Sequence, residues 1–568
     1  MNKRPHAVLR GMSLVVLGVL AACALVPLQP DRGATAPQLE GFGRIDAPVT
    51  TRSDAARRLY HAGVLQAYAF NEKEAVRQFK AALAIDPTCA MCAWGVAWQL
   101  GPNINARERG DLTEARRYID HASRHGQDAS ARERALIDAM ATRYDVAART
   151  GPAFTPSDAD VCRGARGDKA AHPLDIAYAE RLHALVMAYP DDADILSLWS
   201  EAAMIVAKDD WYDKTTGKPL PRIAEMVERL EALLEAQPGH TGLNHYLIHA
   251  ADAPSNAARA VAAADRLATL APGAPHLVHM PAHIYIRVGR YADAAARNES
   301  ALAAEDAQDE AQKAQGFGVS KDWRGHNTHF LWYAALMQGR GEAALAAARS
   351  VAGRAKRDTV WSEYFRSVPQ LTLLRLERWE ALLDEPPATG ARGMAAAVGQ
   401  SARGVALVRL GRLPEAQAAL QAADAGAATL RATHASASDE DLGIRNIADA
   451  MLARLRAELA AADGRGDEAL AQQARAVAAA RDADDKEPPL LAAGARLALG
   501  DLQLQFGRAA DAEATFRADL AVLPDSGWAL RGLARALAAQ GNAAEAAAVR
   551  ARGERVWPQA DAALKSRG

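Results

Sequence analysis

Residues 59–87 read LYHAGVLQAYAFNEKEAVRQFKAALAIDP, and the spacing within them decides the fold. Gly63, Ala75, Phe79, Ala82 and Pro87 form a small–Ala–aromatic–Ala–Pro pattern. Small residues let two helices approach closely, the aromatic ring fills the gap between them, and the proline ends the second helix. The stretch ALGDLQLQFGRAADAEATFRADLAVLP, residues 498–524, repeats the pattern with Gly500, Gly507, Ala512, Phe516 and Pro524. The next closing proline is Pro558, 34 residues on. Weaker copies, GRYADAAARNESA (289–301) and GRLPEAQAALQAA (411–423), share its Gly-led turn into a second helix.

A 34-residue period with these residue types resembles the tetratricopeptide repeat (TPR). The resemblance covers nearly everything after residue 50 and implies an all-α solenoid, a superhelix of about ten to twelve helix pairs with loop insertions. Composition agrees, since hydrophobic residues reach 50% and aromatics 5%, as small-residue helix packing requires. The expected insertions are 101–109, the segment around 150–170, 209–221 and 303–324. The array divides into N-terminal units (51–238), histidine-rich central units (239–358) and C-terminal units (359–568). Repeat solenoids host many tasks, so the fold alone implies no function.

The N-terminus, MNKRPHAVLRGMSLVVLGVLAAC, has a basic n-region and a short apolar h-region closing on Leu20-Ala21-Ala22-Cys23. That closing looks like a bacterial lipobox, with residues 1–22 as signal peptide and Cys23 as the lipidated thiol. Residues 23–50, rich in Pro, Gly and Ala, are then a tether, and the expected location is the bacterial cell envelope at the outer membrane. In an oxidising compartment Cys89 and Cys92 form a plausible disulfide, which leaves Cys162 odd. The net charge of -2 and the lack of a basic run with interleaved aromatics argue against nucleic acid.

Eight of the 15 histidines lie between residues 240 and 329, where an even spread gives about two or three. In the repeat register His245, His279 and His329 take one helix-A position in three successive units; His249 and His283 share another; His276 and His326 share a third. Spacings of three and four put such residues on one helix face. In tetratricopeptide proteins that face lines the concave groove, so all seven are expected to converge on one wall. Asp252 and Arg287 fall on the same face. Neutral imidazole is the commonest metal ligand, and an all-nitrogen site suits a divalent transition ion: zinc, copper, iron or nickel. The alternatives are histidines bonded to one another, or a groove for an anionic or peptide ligand. Pro281, between His279 and His283, either kinks the helix or restarts it.

Met91, Trp94 and Trp98 also fall at groove positions. They form either an apolar wall for a ligand or a layer packed beneath the insertion GPNINARER. The motifs CAMCAWG, GPNIN, NHYLIHA, HLVHMPAHIYIRVGRY, HNTHF and EPP together resemble a family of exported bacterial tetratricopeptide lipoproteins. That resemblance implies export and fold and brings no activity with it. The expectation is a binding or scaffold protein for a protein, peptide or small-ligand partner, membrane-attached through its lipid. The alternatives are a metal-dependent enzyme using the groove histidines and a metal-free assembly scaffold.

Overall fold

The computed structural model describes residues 28–565, apart from 108, 147–170, 209–210, 214, 320–321, 434–438, 485–486 and 491–493. Cys23 and Cys162, with the signal-peptide reading, lie outside the described residues. Among those described the structure is all-α: helices follow one another from Asp54–Tyr68 to Ala562–Lys565, with two isolated β-bridges and no strand. No described helix is long and apolar enough to cross a membrane. Successive helices pack as antiparallel pairs, and one core runs from Phe42 to Leu564.

The quoted pattern works as its residue types require. A Cβ built on Gly63, or on Gly95 of the next unit, would lie 2.6 Å from the Phe79 ring. Near the other end Gly500 and Gly532 close on Phe516 in the same way, at 2.4 and 2.3 Å. The ring occupies the space that two absent side chains leave, so the helix-pair solenoid stands on this chain's own geometry. Turns between paired helices carry a left-handed residue, as at Gly289 (φ 81°). In the first unit that place belongs to Phe70 (φ 51°), a conformation unfavourable for a residue with a Cβ.

Two expectations change, and the choice left open for Met91, Trp94 and Trp98 narrows to the packed layer. Residues 28–50 are not a free tether, because Phe42 and Ala47 are buried and Gly273 N–H donates to Gly41 O at 2.8 Å. An apolar arm with partners folds down rather than trailing in water. The expected insertion 303–324 instead begins as a continuation of the long helix Tyr291–Ala314, which buries Glu305, Gln308 and Gln312. Met91, Trp94 and Trp98 do not form an open groove wall. All three are buried, Trp94 Nε1–H donates to Leu136 O (3.1 Å), and Trp98 Nε1–H donates to Glu201 Oε2 (3.1 Å) beneath Gly101–Asn103.

The C-terminal units fold back on the middle of the chain. Trp528 and Trp557 donate their indole N–H to Leu336 O and Met337 O at 3.0 and 2.8 Å. Tyr364 OH donates to Leu490 O (2.9 Å), which anchors the segment carrying Glu487 against the helix Val360–Arg375. Cys89 and Cys92 are joined as a disulfide at the start of the helix Ala90–Gln99.

Candidate metal centre

Three helices side by side, the middle one in two segments, supply the histidines. His245 and His249 stand one turn apart on the helix Thr241–Ala251. His276 and His279 belong to Pro275–His279, and His283 to Pro281–Arg287. Met280 joins those two segments in right-handed helical conformation, so the chain continues as a helix across Pro281, which cannot donate to the preceding turn. His326 and His329 lie on Arg324–Met337.

Six of the seven expected histidines form two sets of three. In the first, His245 Nε2 lies 3.2 Å from His276 Nε2 and 3.1 Å from His249 Nε2. In the second, His279 Nε2 lies 3.0 Å from both His283 Nε2 and His326 Nε2. Within each set all three nitrogens fall within 4.8 Å of one another. A tetrahedral ion with metal–nitrogen bonds of about 2.0–2.1 Å holds its ligand nitrogens about 3.3 Å apart, close to the two separations from the central nitrogen of each set. His329 joins neither set. Its ring stacks on Trp332 (5.1 Å, 4°), and its Nε2 is 3.4 Å from Tyr364 OH. Three residues after His326, it points along the next turn, where Trp332 and Tyr364 take its ring.

Hydrogen bonding alone does not account for the contacts. A ring nitrogen is either one N–H donor or one lone pair. His279 Nε2 has two other Nε2 atoms at 3.0 Å, so a hydrogen bond serves one contact and leaves the other repulsive. Its tautomer is set by Asn298, whose Nδ2 donates to Ala294 O (2.8 Å) and whose Oδ1 therefore accepts from His279 Nδ1–H (2.7 Å). The lone pair is then on Nε2, directed at its two neighbours. An amide or carboxylate behind a ligating imidazole fixes its orientation in this way.

His283 is fixed by charge. Its Nδ1 lies 2.8 Å from Asp252 Oδ2 and 2.7 Å from Glu487 Oε2, while Arg287 bridges the two carboxylates at 3.2 and 2.5 Å. Burial alone lowers His283, yet the bonds from Asp252 and Glu487 outweigh it and hold the ring up at about 9. Burial and the adjacent Glu487 push Asp252 up to about 6. Burial likewise raises Glu487, but Arg287 and His283 offset this and keep it well below the usual carboxylate range. Burial drives four further rings neutral: His245 and His326 fall to about 3, and His249 and His279 fall well below their ordinary value. Neutral rings keep the lone pairs that a metal needs.

Each set packs against one phenylalanine. Phe70 lies 4.5, 5.5 and 5.0 Å from the His245, His249 and His276 rings. Phe330 lies 4.6, 4.4 and 5.0 Å from His279, His283 and His326. The strained turn at Phe70 thus places an aromatic ring on the first set. Trp323 stacks on His276 at 4.4 Å. A narrow cleft lined by Asn71, Pro275, His276, Glu305, Gln308 and Trp323 borders that set.

Register reasoning missed Glu487, Asn298, Phe70, Phe330 and Trp323. Glu487 was visible only as the first residue of the EPP motif, some 200 residues from its partners in the chain. Phe70 left a local sign, since Phe-Asn stands where other turns read Gly-Arg.

No protein-family model matches this chain, and no curated protein matches it. Among solved structures, the human IFIT1 dimer with m7Gppp-AAAA is similar over 89% of this chain and 91% of its own, at 11% identity and TM-score 0.30. The P58(IPK) TPR domain covers 86% of this chain and 98% of its own, at 12% identity and TM-score 0.21. Yeast Tom70 covers 88% and 92%, at 10% identity and TM-score 0.23. Superposition at such scores is partial, and nothing about the histidine sets follows from it.

Proposed function

We propose that this chain is an exported, lipid-anchored solenoid that binds transition-metal ions through its central histidines and presents them to a protein, peptide or small-ligand partner. One observation carries the reading: a central Nε2, in His245 and again in His279, has two further Nε2 atoms within 3.2 Å. A cation takes a lone pair from each of the three rings at once, displacing the proton of His283 in the second set, whereas hydrogen bonds through one central nitrogen serve one contact. Six imidazoles with no thiolate suit zinc, copper, iron or nickel. The lipobox at Cys23 supports attachment at the outer membrane of a bacterial cell.

A metal-dependent enzyme is the second reading, and ligand number favours it. Three protein ligands per ion leave a fourth position for water or substrate. Asp252, Glu487 and Arg287 stand behind His283, and a water-sized cleft borders His276. Elemental analysis of protein purified without chelator or affinity-tag metal tests both readings, beside a His279→Ala/His283→Ala variant. Stoichiometric metal in the wild type that falls in the variant is the expected result. No metal in either, after added zinc or copper, overturns both readings and leaves a metal-free partner scaffold.

A further inference from the structure

We infer that the two histidine sets hold their ions as one dinuclear centre with a small anion bound between them; this rests on the metal reading above. The first support is connectivity. His276 and His279 lie three residues apart on one short helix, with ring centroids 6.2 Å apart, yet each belongs to a different set. The indole of Trp323 stands against His276 at 4.4 Å and against His326 at 6.1 Å, touching a ligand of each set. The two sets are therefore adjacent, joined through one short helix and one indole.

The second support is charge. Six imidazoles, His283 included once its ion displaces the ring's proton, are neutral as ligands and offset nothing, so two divalent ions bring four positive charges into a buried site. Asp252 and Glu487 return two, and Arg287, paired with both, adds one back. Glu305, across the cleft beside His276, has its own partner in Arg324 at 3.6 Å. A buried excess of positive charge costs several kcal/mol per ion unless it is compensated. The described side chains around the sets leave that excess, and each ion has a coordination position left open by its three-histidine set. A small anion with a donor atom for each ion meets both requirements. The ligand class is thus a compact oxygen- or nitrogen-donor anion such as hydroxide, carboxylate or azide.

The test loads full-length protein with Cu(II) under chelator-free conditions, counts copper and records the electron paramagnetic resonance spectrum before and after adding azide. Two copper per chain, with a signal broadened or diminished by mutual coupling, is expected, together with saturable azide binding. His326→Ala should leave one copper per chain, restore the sharp signal of an isolated ion and weaken azide by about tenfold or more. His329→Ala should change none of these and serves as a folded comparator outside both sets. Two copper giving two independent isolated-ion signals, or one copper in the wild type, would overturn the dinuclear centre while leaving metal binding intact. No copper at all would instead remove the reading on which it rests.

Discussion

The two histidine sets contain the same chemistry and are supported in different ways. The second is held by polar groups: Asn298 fixes His279 from behind, and Asp252, Glu487 and Arg287 fix His283. The first is held chiefly by aromatic faces, with Phe70 against all three rings and Trp323 stacked on His276. Packing excludes water and sets ring planes, but carboxylates also supply charge. A dication on the second set meets anions within the fold, whereas one on the first meets neutral rings. The second set is therefore expected to bind the tighter of two ions, and the first to depend more on an added anion.

The largest effect that breaks this comparison is loss of a central ring. His279→Ala should weaken the second set by roughly 100-fold or more and leave the first set's ion in place, and His245→Ala should do the converse. Metal titration followed by equilibrium dialysis reads both. If either variant empties both sets, they are one site rather than two.

Acidity separates individual rings by sign, and His326 and His283 of the second set run opposite ways. In metal-free protein, His245, His326 and His329 fall to about 3 when folded, below the unfolded value near 6.5. The unfolded chain then binds more protons between those values. Stability is fully present above pH 6.5 and is lost as pH falls toward 3, by about 1.4 kcal/mol per pH unit for each ring. His283 runs the other way: held up at about 9, it contributes stability present below pH 6.5 and lost as pH rises through 9. Thermal unfolding of metal-free protein between pH 5 and 10 should show a maximum near neutrality. His283→Gln should remove the alkaline loss and spare the acid one; an unchanged alkaline limb would mean that Asp252 and Glu487 do not charge this ring.

A smaller change sharpens the same comparison. Glu487→Gln keeps the shape of the side chain and removes its charge. The second set should lose about 10- to 100-fold in metal affinity, the usual cost of an outer-shell partner, and the first set much less. Equal losses at both sets would show that the carboxylate acts on the whole centre.

Most of the fold was legible because a repeat writes its packing into fixed spacing. Gly63, Phe79, Gly500 and Phe516 could be read as helix-pair contacts without knowing what surrounded them. The histidine wall was legible for the same reason, since register alone brought His245, His249, His276, His279, His283 and His326 together. Its division into two sets was not. That division depends on ring directions, and ring directions depend on Asn298, Phe70 and Phe330, which no helical period marks. Glu487 arrives only because the C-terminal units fold back on the middle, a superhelical consequence that neighbouring units do not encode. The arm at 28–50 misled for a related reason: Pro, Gly and Ala suit a tether, and only the scattered Leu39, Phe42, Ile45 and Val49 signal that the segment has somewhere to dock.

His329 gives the smallest expected effect on the centre. By register it shares a position with His245 and His279, and a seven-histidine wall would include it. In the structure it lies flat against Trp332, whose indole N–H donates to Thr372 Oγ1 at 2.7 Å, and its Nε2 faces Tyr364 OH rather than another imidazole. His329→Ala should therefore leave the metal count and both affinities unchanged while lowering stability by about 1–2 kcal/mol, the loss of one buried aromatic stack and its contact. Urea unfolding beside metal titration separates the two quantities. A fall in metal content with stability unchanged would return His329 to the ligand wall that register predicts. A fall in stability alone would mean that shared register places a ring on the right face, while the neighbours around it decide whether it binds.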